Sequence, residues 1–187
     1  MAGADGGPCK GYLAMSADFE ATTQTQRSKG ILVDERKKCT SEVPTDQTYL
    51  GLCREVAEGS DDPDTRVGCV VVKRTTVLVR ACNTFPQGLD DRAGVRSIRP
   101  EKYAWIEHAE RNAIYRAART GIALADARIY VELMPCVECA RAIIRAGISE
   151  VVVSADRMLC YESERYSTQH ALAELMLREA GVSVRRV

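Results

Sequence analysis

With 187 residues the chain has room for one globular domain and not for two of ordinary size. Apolar residues make up 45% and charged residues 28%, and no apolar run reaches the roughly 18 to 20 residues a membrane span needs, which argues against a membrane role. Lys plus Arg and Asp plus Glu balance at 26 each, so no global positive field draws the chain to a phosphate polymer, and a nucleic-acid partner is not expected.

Residues 1–46 are rich in Gly, Ser, Thr, Lys and Asp, and their apolar residues are too sparse to build a core. They read as an extension, flexible or draped over a domain formed by residues 47–187. Met1 to Gly30 carries Asp5, Asp18 and Glu20 and no continuous apolar stretch, so it reads as neither a secretory signal nor an acid-poor transit peptide. A cytoplasmic protein is expected. The eight cysteines are too scattered for a disulfide framework, and Cys53, Cys69 and Cys82 read as buried free thiols.

A helix is predicted over Thr48–Glu58, where Tyr49, Leu52, Cys53 and Val56 recur at helical spacing before Gly59-Ser60. Val67–Lys73 and Thr76–Ala81 are β-branched runs parted by Arg74-Thr75, which predicts an antiparallel hairpin. After Asn83 comes a long loop with Pro86, Gly88, Gly94 and Pro100 that carries Arg92, Arg96, Arg99 and Lys102. Loops of this length in a small domain are often functional. From there helix and strand alternate: His108–Arg119, Arg128–Glu132, Cys136–Ala146, Glu150–Val153, Thr168–Ala180 and Val182–Arg186. The alternation predicts an α/β domain with helices on both faces of one sheet.

Two of these helix starts carry chemistry. His108-Ala109-Glu110 opens one, and Pro135-Cys136-Val137-Glu138-Cys139 opens the other. Cys136 and Cys139 are three residues apart, so one helical turn brings both sulfurs to one side, as a tetrahedral metal requires of two ligands on one element. The positive end of the helix lowers the cost of holding two thiolates. His108 supplies a third ligand, and the fourth position stays open to water, as in catalytic zinc. His108 and Glu110 are about 200° apart around a helix, so a metal lying off the helix tip is the arrangement that lets Glu110 touch the water without ligating the metal. The H-x-E and P-C-x-x-C pair is the known signature of zinc nucleobase deaminases. Glu138 reads as a solvated acid at a helix start, and His170 as a surface residue.

From about Gln47 to Val187 the sequence resembles the deoxycytidylate (dCMP) deaminase family of the cytidine deaminase-like superfamily. The resemblance is carried by Gly68-Cys69-Val70-Val71-Val72, Asn83-Thr84-Phe85-Pro86-Gln87-Gly88, His108 to Ile114, Pro135 to Ile143 and Ala180-Gly181-Val182. It implies a three-layer α/β/α fold around a central five-stranded mixed sheet, a zinc cofactor and hydrolysis of dCMP to dUMP and ammonia. It also implies a homo-oligomer. Superfamily members acting on free cytidine typically place Cys where this chain has His108, which favours the nucleotide. Asn83 matches the family's sugar-holding Asn, while Thr84 and Cys82 depart from the commoner pattern. The phosphate of such a substrate needs cations, for which Arg66, Arg92, Arg96, Arg99, Lys102 and Arg111 are the candidates. Phe85, Tyr161 and Tyr166 are candidates to stack on the base. Other readings are a tRNA adenosine deaminase-like enzyme gripping phosphates with the basic loop, and a guanine or pterin-type deaminase. A zinc-binding subunit without activity is disfavoured by the intact Glu110.

Overall fold

A computed structural model describes residues 43–91, 94–157 and 164–187. The predicted extension therefore lies almost wholly outside the described residues.

Helix α1, Asp46–Ala57, starts two residues before its predicted first residue. Thr45 and Thr48 bond each other's backbone N–H in a capping box upstream of the first apolar position. Its buried stripe is Tyr49, Leu50, Cys53 and Ala57, so Leu50 takes the core position expected for Leu52. Strands β1 (Gly68–Lys73) and β2 (Thr76–Cys82) form the predicted hairpin, turning through Arg74 at φ 58° and bulging between Val71 and Val72. The loop that follows contains a one-turn helix, α2 (Lys102–Trp105), which has no periodicity to announce it. Then come α3 (Ala109–Thr120), β3 (Arg128–Val131), α4 (Val137–Arg145), β4 (Glu150–Val153), α5 (Glu164–Glu179) and β5 (Ser183–Arg186).

The five strands make one sheet in the order β2-β1-β3-β4-β5. β1 runs antiparallel to β2 and β3, whereas β3, β4 and β5 are parallel, so the sheet is mixed as the resemblance implies. Because side chains alternate along a strand, the sheet feeds two cores. On one face Cys69, Val71, Ile129, Val131, Val151 and Val153 meet the alanines of α3 together with Ile143 of α4 and Leu177 of α5. On the other, Val70, Val72, Tyr130 and Val152 meet Tyr49, Leu50 and Cys53 of α1. The outcome is the three-layer α/β/α architecture.

Helix α1 sits so close to β1 that a Cβ on Gly68 would lie 1.8 Å from the Cys53 carbonyl oxygen, which only glycine allows. At this end of the sheet the chain leaves β2 at Asn83, enters β1 at Gly68, and leaves β3 and β4 at Glu132 and Ser154. Helices α3 and α4 start at the same edge.

Candidate metal centre and active site

His108 is the N-cap of α3 and Cys136 the N-cap of α4. Both have extended backbone there, and neither side chain makes a capping hydrogen bond. His108 Nδ1 lies 3.6 Å from the sulfur of Cys136 and 3.6 Å from that of Cys139. All three donor atoms fall within 4.8 Å of one another. Zinc at its usual bond lengths, about 2.05 Å to N and 2.3 Å to S, with a tetrahedral angle between them, requires an N···S separation of about 3.6 Å. The donor set fits zinc in both softness and spacing. Its burial is graded from the exposed His108 to the buried Cys139, which leaves one side open to a substrate.

The electrostatics favour a cation. A hydrogen bond from the Cys139 thiol, together with one from His108, pulls the Cys136 thiol down to about 3, while the same contact with Cys136 and burial push Cys139 up. The pair thus yields one proton readily and holds the second, and a divalent ion supplies the charge that releases it. His108 is raised, chiefly by its hydrogen bond to Cys136.

Glu110, in the first turn of α3, is 4% exposed. Burial raises its carboxyl above the ordinary carboxylate range. A raised pKa suits a group that must both accept and return a proton near neutrality. Glu107 braces the junction: its Oε1 accepts from the His108 N–H (2.9 Å) and from Arg111 Nε (2.7 Å), while its backbone pairs with Thr84. Asn112 joins α3 to the end of β2, donating to the Cys82 carbonyl (2.8 Å) and to Thr84 Oγ1 (3.1 Å). It belongs to the same sequence run as His108, and an amide on the inner face of a helix is a readable sign of such a tie.

Asn83 is buried, and its amide organises the loop before β1. Oδ1 accepts from the Val67 N–H (2.8 Å) and Ser60 Oγ (2.7 Å), and Nδ2 donates to the Thr65 carbonyl (2.8 Å). Phe85 is half-buried, with its N–H on Asp61 Oδ2.

The predicted phosphate grip of the long loop is corrected at Lys102, which is 3% exposed. Its ammonium donates to both oxygens of Asp62 (2.7 and 2.8 Å) and to Asp64 (3.1 Å), and that uses all three hydrogens. Arg99 pairs with Asp64 at 3.2 Å. The Arg96 guanidinium lies 4.1 Å over the Trp105 ring and donates to the Asp90 carbonyl. Arg111 is turned to Glu107; against the burial that lowers its pKa, the charge of Cys139 raises it. Arg66 is exposed at the edge beside Asn83. Arg92, Tyr161 and the Tyr166 side chain lie outside the described residues.

His170, expected on the surface, is half-buried; burial lowers its pKa, and the charge of Cys136 acts in the opposite sense, so it stands near the metal end. Sequence reasoning missed Glu132 altogether. It is buried at the end of β3, four residues before Cys136, and accepts from the Gly68 N–H (3.2 Å). Cys53 and Cys69 are buried free thiols as predicted, and burial pushes Cys53 up to about 12; Cys82 is free too but only half-buried, because it ends β2 at the sheet's edge.

Residues 43–155 match the family model described as the cytidine and deoxycytidylate deaminase zinc-binding region. The chain belongs to this family. It is 34% identical over 144 residues to deoxycytidylate deaminase of Homo sapiens, covering 74% of this chain and 76% of the human one. To a probable deoxycytidylate deaminase of Caenorhabditis elegans it is 32% identical over 130 residues, 67% of this chain and 65% of the relative, slightly under two thirds of that protein's length. A crystal structure of the dCMP deaminase from cyanophage S-TIM5, in complex with dCMP and dUMP, superposes with a TM-score of 0.59 at 22% identity over 75% of this chain and 95% of that one, which shows the shared fold. By family this is a deaminase, and its His108, Cys136 and Cys139 form a group that could hold a metal ion, with Glu110 in the first turn of α3.

Proposed function

We propose that this deaminase hydrolyses the exocyclic amine of a cytosine nucleotide, converting dCMP and water into dUMP and ammonia, with zinc held by His108 Nδ1, Cys136 Sγ and Cys139 Sγ. The observation that carries the reading is the buried Glu110, its carboxyl raised by burial, beside a donor set spaced for a tetrahedral metal. Bound zinc supplies an acidified water, with a pKa lowered from about 15.7 toward 7. Glu110 accepts one proton from the attacking water and delivers it to N3 of the pyrimidine as the oxygen bonds C4; it then takes the proton of the new C4 hydroxyl and passes it to the amino group, so that the carbonyl forms, the C4–N bond breaks and ammonia leaves. Its burial keeps bulk solvent from competing for the proton.

The deoxycytidylate choice draws support from the relatives' names and from the cyanophage enzyme's complex with dCMP and dUMP. A homo-oligomer is proposed with it. Leu172 and Leu175 on α5 and Tyr115 on α3 are about half exposed, large and apolar, the kind of surface a subunit contact covers. Among the described residues no helix is long and apolar enough to cross a membrane.

The test is ammonia release from dCMP, CMP, 5-methyl-dCMP, deoxycytidine and guanine, with inosine analysis of tRNA alongside, on protein whose zinc content is measured. About one zinc per chain is expected. dCMP should exceed deoxycytidine in kcat/KM by at least about 100-fold, or roughly 2.7 kcal/mol. Equal use of deoxycytidine would overturn the nucleotide assignment and leave the zinc deaminase standing.

A further inference from the structure

We infer that Glu107 is a positioning residue for the metal centre. One oxygen of its carboxylate replaces the cap that α3 gives up by using its N-cap side chain as a ligand, and it fixes the backbone that carries His108. This rests on the metal reading above and not on the choice of substrate.

Three helix starts of this chain show what has been given up. At α1, Thr45 Oγ1 accepts the Thr48 N–H and Thr48 Oγ1 accepts the Thr45 N–H, so the N-cap and the third helical residue, N3, satisfy each other. At α4 those two positions are Cys136 and Cys139, and a bound metal joins them. Helix α3 has neither arrangement. Its N-cap side chain, His108, makes no capping bond. Its N3 residue is Arg111, whose guanidinium only donates and cannot accept the His108 N–H.

Glu107, one residue before the N-cap, supplies the missing acceptor. Its Oε1 takes the His108 N–H at 2.9 Å and Arg111 Nε at 2.7 Å, with Arg111 Nη2 2.5 Å from the same oxygen. The N3 side chain therefore holds the acceptor in place where an N3 Glu or Gln would itself be the acceptor. Glu107 and Arg111 are only 20% and 21% exposed, so water competes poorly for the pair. The carboxylate is anchored in turn. The Glu107 backbone bonds that of Thr84 in both directions, at 2.9 and 3.2 Å, and Asn112 ties α3 to Thr84 Oγ1 and to the Cys82 carbonyl. The end of β2, Glu107 and the first turn of α3 thus close a set of bonds around the His108 peptide.

The consequence lies in metal affinity. His108 is the ligand that α3 brings, and it follows a long loop, so a loose backbone there would charge the entropy of ordering it to metal binding. With the bonds closed, Nδ1 stands 3.6 Å from both sulfurs.

The test measures the zinc affinity of the full-length protein by competition with a chelator, and the thiolate charge-transfer and ligand-field bands of its cobalt(II) form. It compares wild type, Glu107→Ala, Glu107→Gln, and Glu107→Ala combined with Arg111→Gln. Glu107→Ala should bind zinc about tenfold more weakly, as the loss of a partner that orients a ligand typically costs, and should shift the ligand-field bands. Glu107→Gln keeps an acceptor oxygen and should stay close to wild type. The double variant puts at N3 a side chain that accepts the His108 N–H itself, and it should regain most of the affinity that Glu107→Ala loses. Unchanged zinc affinity and cobalt bands in Glu107→Ala, even with a lower thermal midpoint, would show a cap that serves the fold alone and would overturn the inference. A double variant no better than Glu107→Ala would overturn it too. A wild type that binds no zinc overturns the metal reading together with this one.

Discussion

The starts of α3 and α4 and the segment between Asn83 and His108 both stand out in the sequence, one for its ligands and one for its basic residues. They resolve differently. At the helix starts the spacing of His108, Cys136 and Cys139 is itself the geometry, because an N-cap side chain leaves along the helix axis and three residues make nearly one turn. In the segment, Lys102 and Arg99 meet Asp62 and Asp64, acids from a loop 35 to 40 residues upstream. A run of cations therefore announces a field only once its partners are known.

The sharpest break in this comparison is Glu110→Gln. The amide keeps the shape of the carboxyl and cannot take the proton, so turnover should drop by about 10³-fold or more while zinc stays bound. Steady-state kinetics with metal analysis reads both. Loss of zinc would make Glu110 a ligand and undo the division of labour drawn at α3.

Next in size is Lys102→Met, which removes one member of a buried ion pair and leaves Asp62 uncompensated. Unfolding in urea should show a loss of about 3 kcal/mol with zinc content unchanged. A loss under about 0.5 kcal/mol would mean that Lys102 is not committed to the fold, and the segment would again be a candidate grip on phosphate.

The smallest effect is expected at Asp91. The Ser97 hydroxyl, aided by the N–H groups of Arg96, Ser97 and Val95, holds its carboxyl at about 2. Its folded-state pKa is thus below the ordinary value, so its contribution is complete above about pH 4 and is lost as pH falls toward 2. Wild type and Asp91→Asn should differ in thermal midpoint at neutral pH and converge over that range. A constant difference would assign the effect to something other than the carboxylate.

Much of the fold was legible because its signals are local. β4 falls on Glu150–Val153 as predicted, and the hairpin turns at Arg74 and Thr75. The one-turn α2 was not legible, since four residues carry no period, and the first turn of α5 was missed because its Glu-Arg-Tyr-Ser start has no apolar stripe. At the site, the clustering of His108, Cys136 and Cys139 could be read because they lie in two short runs of sequence at helix starts. Glu132 and Arg157 could not. Their meaning lies in a contact across two strand ends, and a lone acid after a strand reads as solvated until its neighbours are in place.

The direct seat of α1 on β1 at Gly68 has a mechanical consequence. Between most helices and sheets lies a layer of side chains whose rotamers can yield, letting the two slide by fractions of an ångström. Here the Cys53 carbonyl rests on a bare Cα, and no such cushion intervenes. Helix and strand are therefore coupled directly at this point, which Arg54, one residue past Cys53, and Arg66, two residues before Gly68, flank.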